Sequence, residues 1–156
     1  MINMKAERQF IGNSTYRSRL VDGHFHTELC PHGSGDRTAL MIEKAIELRI
    51  EKVCLTEHAP LPKAFEAEYG GDKIAYDTAS LKLNQVDSYL ELGRELQRAY
   101  GTHIDISLGF EVDYIPGFES DIQDFLDRYG PLTDDNILSV HFMDGVGGKY
   151  YCVDYN

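Results

Sequence analysis

Apolar positions recur along this chain with two periods that take turns. Residues 19–25, RLVDGHF, read as a short strand. In the segment 35–49, Ala39, Ile42, Ala45, Ile46 and the aliphatic stem of Arg49 fall at helical spacing, with Asp36 or Thr38 as the N-cap. KVCLT, 52–56, has the apolar run of a buried strand and is closed by Pro60 and Pro62. The polar stretch 63–78, which carries Gly70 and Gly71, reads as a long loop. Leu83, Val86, Leu90, Gly93, Leu96 and Tyr100 then step by three or four, which predicts an amphipathic helix ending at Gly101. Ile104, Ile106, Leu108 and Phe110 alternate, as in a strand. A shorter helix over Phe118, Ile122, Phe125, Leu126 and Tyr129 and a strand at 136–140 complete the pattern. The order β-α-β-α-β-α-β predicts an α/β fold with a parallel sheet and helical crossovers, and 156 residues suit one domain.

Metal-binding side chains fall at one end of every predicted strand. His24 and His26 close the first, Glu57 and His58 follow the second, Glu111 follows the third and His141 follows the fourth. In open or closed α/β sheets, active sites are built at the C-terminal strand edge. Two residues apart on a strand, His24 and His26 point the same way and reach one ion, while Phe25 turns into packing. His32 sits in the next loop, where Pro31 and Gly33 turn the chain back over the strand ends. Taken singly, each has a bland reading as a packing, capping or solvated group; together they point to zinc, iron or manganese held by imidazole and carboxylate. His103 precedes the third strand, at the opposite edge, and receives no function. Asp113, Asp144 and Glu28 read as solvated. A Cys30–histidine nucleophilic pair is conceivable, but the surrounding histidines fit better as ligands. No GxSxG, P-loop or GxGxxG is present.

The formal net charge of −11 argues against nucleic acid or an anionic membrane as partner. It would also repel a phosphate substrate unless bound cations reverse the field locally. Three widely spaced cysteines describe no disulfide framework, and Cys54 reads as core. With no signal-peptide pattern at the N-terminus and no long apolar run, the expected compartment is the cytoplasm.

DGHFHTELCPHG, LTEHAPLP, LGFEVDYIP and LSVHFMDG resemble, in order, the successive motifs of the PHP (polymerase and histidinol phosphatase) family, in its histidinol-phosphatase branch. The resemblance runs from about residue 19 to at least 144 and implies the N-terminal portion of a distorted (β/α)7 TIM-like barrel, with 1–18 as an N-terminal extension. It implies a metal-dependent phosphomonoesterase, most simply one hydrolysing L-histidinol phosphate in histidine biosynthesis. Other members act on other small phosphate esters, and an inactive half-barrel serving as a binding or assembly module is a further alternative. Amidohydrolase barrels also open with HxH, but typically carry a lysine where this chain has His141 and lack the glutamate at the third strand. By resemblance, His24 and His26 hold a first zinc, manganese or iron ion, Glu111 bridges it to a second held by His141, and His32 and His58 hold a third. Glu111, His141 and His58 lie where the reaction occurs, Asp22 and Glu57 orient imidazoles, and the phosphate-gripping residues are unassigned. The family barrel needs roughly a hundred residues more than this chain has. The expectation is therefore open barrel edges, partial metal binding, little activity alone and self-association.

Overall fold

The computed structural model describes residues 19–145 and 147–154; the extension expected at 1–18 lies outside them. Four parallel strands form one sheet in the order β1 (Val21–Phe25), β2 (Lys52–His58), β3 (Asp105–Asp113), β4 (Ile137–Ser139). Helices α1 (Thr38–Glu47), α3 (Val86–Tyr100) and α4 (Glu119–Tyr129) make the crossovers, and α2 (Lys73–Thr78) lies in the connection after β2. The strand-helix alternation read from the sequence is therefore present. No helix among the described residues is long and apolar enough to cross a membrane.

The period-two pattern sorts the sheet into two faces. Val53, Leu55, Ile106, Leu108, Phe110 and Val112 pack with Ile42 and Ala45 of α1, Val86, Tyr89 and Leu96 of α3, and Tyr129 of α4. The alternate residues of β2 and β3, Cys54, Thr56 and His58 beside Ser107, Gly109 and Glu111, share the other face in parallel register. The apolar set thus fixes which residues are left for chemistry.

Two close approaches require glycine. A Cβ on Gly93 would run into the Leu108 side chain, so α3 can lie against β3 only without one. At Gly109 a Cβ would meet the backbone carbonyl of Asp135. That crossing segment is tied to β3 by side chains: the Leu108 N–H donates to Asp134 Oδ2 at 2.9 Å and the Phe110 N–H to Asn136 Oδ1 at 2.9 Å.

Several boundaries differ from the sequence reading. Residues 63–78 are not one loop: a 3-10 turn at Lys63–Ala67 and α2 are separated by Gly70 and Gly71. Asp72 caps α2 by accepting from the Ile74 and Ala75 amides. The segment orders because Phe65, fully buried, meets Phe118, Phe142 and Tyr150 from distant parts of the chain. Phe142 and Tyr150 belong to a hairpin, β5 (Phe142–Asp144) with β6 (Tyr150–Cys152), formed by the glycine-rich tail. Leu83 stands on a 3-10 turn ahead of α3 and is exposed rather than packed. The N-terminus of α1 takes neither Asp36 nor Thr38 as cap. Instead Glu28, ten residues back, accepts the Thr38 N–H at 2.6 Å while its own N–H donates to Thr38 Oγ1 at 3.0 Å. Glu28 is therefore a capping residue and not merely solvated.

Gly109→Ala should cost about 3 kcal/mol through overpacking against rigid backbone, read as a lowered urea midpoint at unchanged slope. An unchanged midpoint would mean that the Asp134–Asn136 crossing moves freely.

Candidate metal centre

The C-terminal strand edge gathers five histidines around one carboxylate. Glu111 lies in β3, with its carboxylate on the face shared with His58 of β2. His24 Nε2 is 3.3 Å and His26 Nε2 3.6 Å from Glu111 Oε2, and the two Nε2 atoms are 3.2 Å apart. His58 Nδ1 is 3.2 Å from the same oxygen, and His141 Nε2 is 3.4 Å from Oε1. His32 stands at the rim, its ring centroid 5.1 Å from that of His58 and 6.0 Å from that of His26. All six residues read from the sequence as ligands are thus brought together, and His103 lies exposed ahead of β3, away from them.

The local backbone explains the aim of the HxH pair. Between Asp22 and Phe25, β1 presents three residue steps against two on β2, a bulge that re-aims the strand end. Asp22 Oδ1 accepts the His24 backbone N–H at 3.3 Å and so holds the chain at the bulge that carries this imidazole. Glu57 does meet a ring. It is fully buried, with Oε1 3.0 Å from His26 Nδ1, and Oε2 accepts from the Thr27 N–H and hydroxyl at 2.9 and 2.8 Å.

Each imidazole but one is held from behind through Nδ1. His24 Nδ1 lies 2.7 Å from Thr56 Oγ1, His32 Nδ1 2.8 Å from the Thr78 carbonyl and His141 Nδ1 2.9 Å from Asp113 Oδ1. This leaves Nε2 facing the cluster, the arrangement that outer partners impose on metal-binding histidines. Asp113 is therefore not solvated: it is buried, it also accepts the His141 backbone N–H at 3.1 Å, and burial raises its pKa. Asp113 stands two residues beyond Glu111 and Thr56 two before His58, on strands. The period that placed the ligands on one face could have found both. Cys30, from the loop after β1, also comes close: its sulfur, a His26 ring nitrogen and a Glu57 oxygen lie within 4.8 Å of one another.

The donor set fits a divalent cation. Tetrahedral ligands about 2.1 Å from zinc stand about 3.4 Å from each other, and the separations around Glu111 are 3.2–3.6 Å. His58 Nδ1 and Glu111 Oε2 are both buried without a hydrogen bond, although only 3.2 Å apart. Two adjacent buried polar atoms without hydrogen bonds are costly, and a cation between them would satisfy both. Three residue groups among those described qualify by distance, and two of them share Glu111: His24, His26 and Glu111, and His58, Glu111 and His141; the third is His26, Cys30 and Glu57. The rings also differ electrically. Burial disfavours a charged His26, but contacts with Cys30 and Glu57 outweigh it and raise its pKa to about 10. Burial, reinforced by the neighbouring His26, His32 and His141, lowers His58 to about 3. Beside the cluster, a cavity of about 180 Å³ is lined by His32, His58, Asp113 and His141 together with Thr78, Phe142 and Asp154.

Known proteins resemble this chain over most of its length. Histidinol-phosphatase of Bacillus subtilis is 40% identical over 135 residues, which are 86% of this chain and 48% of that protein. A solved structure assigned as a histidinol phosphatase from Listeria monocytogenes superposes with a TM-score of 0.84 at 42% identity, covering 87% of this chain and 50% of that one. Histidinol phosphate phosphatase from Lactococcus lactis, solved with zinc, L-histidinol and phosphate, shares the fold at a TM-score of 0.60 and 24% identity, over 83% of this chain and 42% of its own. The chain spans about half the length of the curated relatives it matches. Its α/β architecture is that of the matching half of these structures. Residues 22–155 match the PHP domain, and the chain belongs to that family.

Proposed function

We infer that this chain carries the histidine-rich metal centre of a phosphomonoesterase acting on L-histidinol phosphate. The observation that carries this reading is the single Glu111 carboxylate facing four imidazoles at metal-ligand separations. The name of the relative that is 40% identical supports the substrate. His24, His26 and Glu111 Oε2 form one position. Glu111 Oε1 and His141 would form a second, with Glu111 serving both. His58 stands between this second position and His32, the nearest residue for a third. Zinc suits these ligands, and manganese or iron would also be accepted.

Bound divalent cations supply Lewis acidity and lower the pKa of water for in-line attack on phosphorus. The chain's own residues prepare for this. Glu57 and Asp113 hold His26 and His141 from behind at Nδ1, so Nε2 of each ring is the atom aimed at the cation. His58, with a pKa of about 3, stays neutral and available at any working pH. The imidazoles also give an otherwise acidic surface one place where charge can be reversed for a phosphate.

The activity test is phosphate release from L-histidinol phosphate against other phosphomonoesters, after zinc or manganese reconstitution. It should be run on this chain and on a version extended to the length of its relatives. The extended version should prefer L-histidinol phosphate and the 156-residue chain should be weak. Turnover of another ester with none of this one, or of none at all, would overturn the reading.

Glu111→Gln should lower zinc affinity and bound stoichiometry more than any single histidine change, by on the order of 100-fold in affinity. Competition titration and metal analysis would show it. Full stoichiometry in that variant would remove the bridge.

The cation-free chain should be most heat-stable near pH 6.5. His26, raised from 6.5 to about 10, contributes stability that is complete below pH 6.5 and fades as pH rises towards 10. His58, lowered from 6.5 to about 3, refuses a proton that the unfolded chain accepts, so stability also falls as pH drops from 6.5 towards 3. The depressed Glu57 acts in the same direction on the acid side, and the raised Asp113 offsets part of it. A melting temperature that does not fall between pH 7 and 10 would contradict the His26–Glu57 pairing.

At the β4 edge of the sheet Leu138 and the following Val140 are exposed, and Val21 is exposed on β1 at the other edge. Such edges recruit strands. Light scattering should show the chain self-associated, and a monodisperse monomer would count against this.

A further inference from the structure

The partners behind the imidazoles are not equivalent. His26 and His141 are backed by carboxylates, Glu57 and Asp113, which accept only and so hold the proton at Nδ1. His24 is backed by a hydroxyl. We propose that Thr56 is the positioning residue of His24, holding its ring and the bulged backbone beneath it through one hydroxyl. The proposal rests on the reading that the cluster holds divalent cations.

Three observations converge on Thr56. Its side chain is buried and lies on the face that carries His58, so it has one place to point. Its Oγ1 is 2.7 Å from His24 Nδ1. The same oxygen accepts the Phe25 N–H at 3.3 Å where the bulge interrupts β1–β2 pairing. One hydroxyl therefore fixes both the backbone that carries the HxH pair and the ring at its head.

A hydroxyl has one donor and two acceptor positions. Two of these positions are taken by the His24 ring and the Phe25 N–H, so one buried oxygen couples the ring to the bulged backbone, and removing it frees both.

The experiment compares the wild-type chain with T56V, which keeps the β-branched shape without the hydroxyl, and T56S, which keeps the hydroxyl without the methyl. Long-range proton–nitrogen NMR spectra of the histidine rings report the surroundings of each ring nitrogen, and competition titration reports zinc affinity. The His24 ring signals of T56V should shift away from those of the wild type and T56V should bind zinc 10–100-fold more weakly, whereas T56S should behave as wild type. Equal zinc affinity and unchanged His24 signals in T56V would overturn the proposal. So would a T56S variant as weak as T56V, since the methyl would then be what matters. A wild-type chain that takes up no zinc would remove the metal-centre reading itself.

Discussion

The Glu111 carboxylate is buried and surrounded by imidazoles, and the rest of this structure is arranged to make that position tenable. A carboxylate taken out of water needs charge or hydrogen-bond partners in good geometry. β1 delivers His24 and His26, β2 delivers His58, and the turn after β4 delivers His141. The register that sets His58 beside Glu111, and Glu111 beside Ile137, aligns these contributions. A slip of one residue would send Glu111 and His58 to the helix side and bring Phe110 and Glu57 into their place. The apolar packing of β3 against α3 and α4 is therefore also what locates the ligands.

Glu57 shows how strictly the two faces are handled. It belongs by alternation with Val53 and Leu55, on the apolar side, yet it is a fully buried carboxylate. Thr27 donates to it twice and His26 meets its other oxygen, so its burial is compensated. Nearby, the Tyr89 hydroxyl accepts the Glu57 N–H and donates to the Gly109 carbonyl, joining α3 to β2 and β3 beneath the site. Compensation of this kind lets a core wall double as support for a histidine.

The connection after β2 and the tail hairpin close one flank of the cluster. Phe65 packs with Phe142, and Tyr150 donates its hydroxyl proton to the Pro116 carbonyl. Through this packing, α2 sets the Thr78 carbonyl behind His32, and the hairpin brings Asp154 within 3.4 Å of His141. The site is thus bounded partly by segments that pack on one another as well as on the sheet.

The strand-helix order, the parallel sheet and the six ligand-type residues at one edge were legible in the sequence, because each follows from short-range periodicity. His24, His58 and Glu111 stand in strands, where a period of two fixes the facing side, and His26 and His141 follow one and two residues beyond strand ends. Their supporting residues were not equally legible. Asp113 and Thr56 share the right faces, but only the fold brings an Asp of β3 to His141 and a Thr of β2 to His24, across 28 and 32 positions of chain. Glu28 could not be recognised as the cap of α1, since its partner amide lies ten residues away around a loop. The short helix α2 was missed because its order comes from Phe65 and a hairpin some eighty residues later, and six residues are too few to show a helical period. Local pattern determined which residues face the site; tertiary packing decided which atoms hold them there, because hydrogen bonds between distant segments leave no mark on spacing.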